Sequence, residues 1–340
     1  MAERKNQHFV PKVYLRSFAS GENCVDLYIK SKGKLVKEAS LSGQASKPYF
    51  YGKDLNIEEG LGYFENEYGK VLEKINKNID SLLDSDLHLL AMFLFLQSRR
   101  TEAAIMELID TSKNIQNYLS ISFPNINLSQ FEDINSRQNN IDLSLSVAVD
   151  LYNSCRDLSY KFLINNTSKD FITSDSPVCL YNQFHERIKR KTFAFNSIGT
   201  QIFFPLTPRI SFLLYDNACY KVGTRKSISV ILNNAKDIDT LNAITYINAN
   251  EVIYFRNRGA IGNFTYLDKI SNNPSKHETI PIDNKTGVFH TSNQPPLCKA
   301  NLSFIKETDL SKVIKVLPES YPPLLRKYCT DFHRKEIKLR

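Results

Sequence analysis

Three short stretches of the chain carry residue types that could do chemistry. The first, QHFVPKVYLRSFA at 7–19, sets His8, Tyr14 and Arg16 around Pro11, which sits where a short helix would open. Imidazole changes charge near neutral pH, so His8 reads as a general base or a substrate contact. It reads equally as a buried hydrogen-bonding residue that pins the start of the chain, because termini fray unless something ties them down. Tyr14 and Arg16 are candidate substrate contacts beside it. The second stretch, FLQSRRTE at 95–102, ends a long apolar run with Gln97, Arg99 and Arg100. Gln97 and Arg100 are three apart and share a helix face. Guanidinium groups there suit bidentate capture of phosphate or carboxylate, or an internal salt bridge. The third, FITSDSPVCLY at 171–181, is a strand end bearing Thr173, Ser174 and Asp175, with Pro177 extending the backbone before it. Asp175 there either faces a ligand or caps its own backbone in an Asx-turn. Polar islands inside apolar segments are costly unless they serve each other or a ligand. The expectation is therefore a single cleft, with His8, Arg99, Arg100 and Asp175 catalytic and Tyr14, Arg16, Gln97, Thr173 and Ser174 binding substrate.

Several familiar chemistries are absent from the sequence. GLGYFE at 60–65 lacks a full dinucleotide fingerprint and lies in a helical pattern, and no GxxxxGK phosphate loop or GxSxG elbow occurs. HERIK at 185–189 fails the HExxH zinc pattern because position 189 is lysine, so no metal site is expected and a cofactor is left unassigned. Glu336 and Lys338 form the E-x-K half of a nuclease core, but in a basic terminal run rather than on a rigid strand.

The chain has 340 residues, with 44 Lys+Arg against 36 Asp+Glu for a formal charge of +8. That excess favours an anionic partner without naming one. Much of it is local, in Lys189-Arg190-Lys191 and in the C-terminal run, which read as a nucleic-acid surface or as solvated basic faces. The six cysteines are scattered singly, as expected of free thiols in a reducing cytoplasm. MAERKNQHFV has no apolar core of a secretory signal. LHLLAMFLFL at 87–96 spans half of the about 20 residues a membrane helix needs, so it reads as a core helix and no membrane partner is expected.

The elements that must position these residues follow from periodicity. A hairpin is expected around Ser31-Lys32-Gly33, then helices over about 57–79, from Ser85-Asp86 through LHLLAMFLFLQSRRTEAAIMELI, and over about 141–164, with the polar segment around Pro124 as loop. From about 170 the pattern turns to short β-branched and aromatic runs, interrupted by one helix at about 235–247. The fold class is α+β: an N-terminal helix and β-hairpin, a central helical bundle and a C-terminal mixed or antiparallel sheet. The expected organisation is one domain over 1–258, helical over about 53–166 and sheet over about 170–258. A C-terminal extension, partly β with a basic tail, would occupy 259–340.

Taken in order, QHFVPKVYLRSFA, FLFLQSRRT, FITSDSPVCLYN, IFFPLTPRISFLLY and NAITYINANEVIYFRN resemble the bacterial and fungal family known as domain of unknown function 4238. The resemblance spans about residues 7–258. It implies that the opening segment is an integral piece of the fold, and it supplies no reaction. The basic excess suggests an intracellular enzyme acting on nucleic acid or a phosphate-bearing nucleotide, by nuclease or nucleotidyl or ADP-ribosyl transfer chemistry, as in a phage-defence effector or toxin. The alternatives are a non-catalytic RNA- or DNA-binding module, using the 17 Tyr and 21 Phe for stacking, and a protein-interaction module.

Overall fold

The computed structural model describes residues 5–122, 136–183, 194–257, 259, 276–281, 289–294, 300–309 and 311, with backbone only for 276–281 and 289–294. The element order begins β1 (Asn6–His8), α1 (Lys12–Leu15), β2 (Cys24–Ile29), β3 (Lys34–Ser40) and β4 (Ser46–Pro48). Four long helices follow: α2 (Asn56–Lys77), α3 (Asp84–Arg99), α4 (Glu102–Ser122) and α5 (Arg137–Ser154). The next strands are β5 (Ser159–Asn165), β6 (Thr173–Ser174), β7 (Cys179–Tyr181), β8 (Gln201–Thr207), β9 (Ile210–Tyr215), β10 (Tyr220–Val222) and β11 (Ser229–Leu232). The described chain ends with α6 (Ala235–Asn248), β12 (Val252–Phe255), the hairpin β13 (Lys276–Pro281) and β14 (Phe289–Gln294), and β15 (Ile305–Glu307). The fold is α+β.

The largest sheet has the order β11-β5-β9-β8-β7, antiparallel except for the parallel pair β11-β5. Successive side chains on a strand point to opposite faces, and this sheet uses both. Ile202, Phe204 and Leu206 of β8 enter a core shared with α2 and α3, while Phe203 enters a second core with Ile238, Leu241 and Ile244 of α6. The sheet is thus a middle layer between the helical bundle and α6. A four-stranded sheet of order β3-β2-β12-β6 joins the N-terminal hairpin to β12 and, beyond it, to the short mid-chain strand β6.

Helix boundaries differ from the periodic reading in three places. The helix expected over 141–164 stops at Ser154, and SYKFLIN becomes β5. Consecutive Phe162 and Leu163 go to opposite cores, which a two-faced central strand achieves and one helix face does not. The single helix expected through FLQSRRTEAAIMELI breaks at Arg100, and the Thr101 hydroxyl accepts from the Ala104 N–H to start α4. α4 then runs to Ser122 through TSKNIQNYLSIS, expected as loop, with Thr111 and Ser120 bonding back to the Glu107 and Asn117 carbonyls. Among the described residues, no helix is long and apolar enough to cross a membrane.

Candidate functional site: two clefts at the end of one helix

The opening segment is tied down by backbone and side chains together. β1 pairs antiparallel with β4, His8 opposite Ser46. The Gln7 side chain donates to the Gly52 carbonyl at 2.9 Å and accepts from the Tyr51 N–H at 2.6 Å. α1 then packs against α2 at Gly69, where an added Cβ would come within 3.1 Å of Val13. This close approach brings Lys12 and His8 beside the helix face that carries Glu58, Gly62 and Glu65. Those three positions follow a helical i, i+4, i+7 spacing.

Between them lies a cleft of about 900 Å³, with Lys5, Lys12, Glu58, Tyr63 and Glu65 among its lining residues and His8 in its wall. His8 is 8% exposed, and its Nε2 has no hydrogen-bond partner. A contact with the Ser42 backbone favours the protonated ring, but it is outweighed. Burial and then the Lys12 ammonium push the imidazole down to about 4, so it is neutral at physiological pH. Tyr63 stands at the rim, 71% exposed.

Behind this wall sits Arg100, 1% exposed. Its Nη2 donates to the His8 carbonyl at 2.7 Å and to Glu65 Oε1 at 2.8 Å, and its Nε donates to the Tyr51 hydroxyl at 3.0 Å. Tyr51 and Glu65 raise its affinity for the proton despite burial. Gln97, one helical turn earlier and fully buried, donates to the Phe9 carbonyl at 2.9 Å. The shared face of Gln97 and Arg100 therefore grips the backbone of the opening segment. For Arg100 the internal salt bridge, not ligand capture, is the observed partner.

Arg99 turns elsewhere. It lines a second cavity of about 720 Å³ bounded by α4, α5 and the strand end that follows Asp175. Among the described residues, the two linings share none. Burial holds this guanidinium below its ordinary value, and its ion pair to Glu107 is long, 3.8 Å.

The expectation of one cleft is corrected at several positions. The Asp175 carboxylate accepts from the backbone N–H groups of Asn250, Glu251 and Val252 at 2.8–3.0 Å, capping the entry to β12. Burial pushes it up to about 6 against the pull of those three donors. Thr173 and Ser174 are fully buried: Thr173 meets the Tyr14 hydroxyl at 2.5 Å, and Ser174 accepts from the Ser176 N–H. Tyr14 is itself buried, donates to the Pro205 carbonyl at 2.6 Å and stacks on Phe204, so it ties α1 to β8 rather than meeting substrate. Arg16 is exposed on the turn Arg16–Phe18 and lines neither cleft. Lys189, Arg190 and Lys191 lie outside the described residues, as do Glu336 and Lys338.

Of the expected catalytic set, only His8 lines the first cleft. Sequence reading passed over Lys12, Glu58, Tyr63 and Glu65. The helical spacing of Glu58 and Glu65 was visible, but nothing local said that their face would meet His8.

A family model described as protein of unknown function DUF4238 matches residues 6–259. The chain belongs to that family. Neither a curated protein nor a solved structure matches it. Within this DUF4238 chain, the match begins at β1 and ends just past β12, so it takes in the second cleft, all of the first cleft's lining but Lys5, and the β3-β2-β12-β6 sheet.

Proposed function

We propose that the His8 cleft is the active site of a cytoplasmic enzyme that acts on a phosphate-bearing nucleotide, free or within a nucleic acid. The observation that carries this reading is the buried, neutral His8 with an unpartnered Nε2 in the wall of a cleft, next to Lys12. A general base must hold a lone pair at the reacting atom, and a neutral imidazole carries one on one of its two nitrogens. Lys5 and Lys12 are placed to hold a phosphate, and the exposed Tyr63 ring offers a stacking surface for a base. A bound phosphate also neutralises Lys12, one cause of the low imidazole pKa, which brings His8 back toward the range of an effective base. His8 then takes a proton from the attacking water or hydroxyl as that oxygen bonds phosphorus, the imidazolium returns the proton to the leaving oxygen as the old P–O bond breaks, and the Glu58 carboxylate in the lining offsets the transient charge. Arg100 acts at one remove, by fixing the backbone of His8.

The test is incubation of the purified full chain with NAD, ATP, labelled RNA and labelled DNA, with and without divalent cation, read by mass spectrometry. His8→Gln should cut turnover by about 100-fold or more while the protein melts normally. Tyr63→Ala should raise KM more than it lowers kcat. Turnover that survives His8→Gln would remove His8 from the chemistry. Binding without any product would make the cleft a non-catalytic nucleotide site.

A further inference from the structure

The Arg99 cavity has no part in that reaction, and it is built for a different kind of molecule. Its walls are mixed, with an apolar part formed by Val147, Leu151, Val178, Leu180, Phe195 and Ile247. About 720 Å³ falls within the ~300–1,000 Å³ typical of small-molecule sites. Among the described residues, two polar atoms of this lining lack hydrogen-bond partners: Arg99 Nε and Ser176 Oγ, both removed from solvent. The guanidinium side chain is 13% exposed, and among the described residues its one ion pair is the long contact to Glu107. A buried cation so weakly compensated is costly to keep unless something else completes its coordination. Glu107 and Asp110 also line the cavity; Asp110 is exposed at its edge.

We infer that this cavity is a second ligand site, for a small organic carboxylate with an apolar body. The carboxylate pairs with the part of the Arg99 guanidinium that remains exposed, a rotation of the Ser176 side chain turns its Oγ to the same carboxylate, and the hydrocarbon lies against the aliphatic and aromatic part of the wall. The acidic residues add a preference among such acids: a carboxylate that also carries an ammonium, as in an apolar α-amino acid, has a partner in Glu107 or Asp110.

Three molecules of one shape separate these contributions: hydrocinnamate, which has the carboxylate alone, phenylalanine, which has both charges, and phenethylamine, which has the ammonium alone. Binding to the full chain is followed by calorimetry and by the shift of the melting curve. Hydrocinnamate and phenylalanine should bind saturably at one site, phenylalanine the more tightly, and phenethylamine about tenfold or more weakly, since a charged hydrogen bond is lost. Arg99→Met should weaken both acids about tenfold or more, and Ser176→Ala, a milder change, by a few-fold. His8→Gln should leave binding unchanged, which keeps this result independent of the first cleft. The inference is overturned if phenethylamine binds as well as the acids, if Ser176→Ala and Arg99→Met both bind them normally, or if no acid binds saturably.

Discussion

Arg99 and Arg100 are consecutive residues, yet each belongs to a different cleft and does a different job. Arg100 is fully buried and holds three partners from three parts of the chain, the His8 carbonyl, Tyr51 and Glu65. Arg99 faces a cavity and, among the described residues, has one long contact to an acid, although each guanidinium keeps one buried nitrogen without a partner there, Nε in Arg99 and Nη1 in Arg100. The difference teaches that the same guanidinium chemistry at the end of a buried helix can be architecture or an open valence, depending on what the neighbouring backbone brings to it. The clefts differ in the same sense. The His8 cleft is walled by charges and by a terminal strand pinned from behind. The Arg99 cavity sets an apolar wall of aliphatic and aromatic side chains beside a polar one.

The most demanding way to break this comparison is to remove each arginine in turn. Arg100→Met should destabilise the protein by about 3–5 kcal/mol, because it strands Glu65 and the His8 carbonyl in a buried setting. Arg99→Met should stay within about 1 kcal/mol of wild type, because a weakly paired, largely buried charge contributes little net stability. Chemical denaturation measures both. Equal losses would mean that Arg99 is as structural as its neighbour.

A smaller effect is expected behind the His8 cleft, where Tyr14 joins α1 to β8. Tyr14→Phe removes a buried hydroxyl from Thr173 and the Pro205 carbonyl and should cost about 1–3 kcal/mol. Activity per folded molecule should not change. A normal melt with lost turnover would return Tyr14 to the site and redraw the cleft.

The subtlest expectation concerns pH, where His8 and Asp175 act with opposite sign. His8 is lowered from 6.5 to about 4, so its contribution to stability is present above about 6.5 and is lost as pH falls through about 4. Asp175 is raised from 3.8 to about 6, so its contribution is present below about 3.8 and is lost as pH rises through about 6. Between about 4 and 6 the two slopes oppose each other. His8→Gln should therefore expose stability that falls with rising pH across this window, and Asp175→Asn stability that rises. A flat profile in His8→Gln would mean that the three backbone donors hold Asp175 ionised in spite of burial.

The sequence was informative wherever a pattern is local. The helices at 56–77 and 235–248, the hairpin at the start and the strands around FFPLTPRISFLLY follow from spacing of 3.6 or 2 and from turn residues. Errors came where a local pattern was ambiguous. SYKFLIN continues the apolar content of α5 and becomes a strand only because the sheet needs a two-faced member. Among site residues, His8 was readable as unusual. Glu58, Glu65 and Lys12 look like any solvated helix residues until a cleft forms between them.

By itself the sequence determined the α+β class, the family membership and the three polar islands. Each rests on residue types and spacings within one segment, and those survive whatever the rest of the chain does. Only the tertiary structure decided which islands meet. Arg100 reaches the His8 carbonyl across 92 positions, and Asp175 reaches the Val252 N–H across 77. A buried polar group takes whatever partner the packed layers bring within about 3 Å, and periodicity carries no information about a partner so far along the chain.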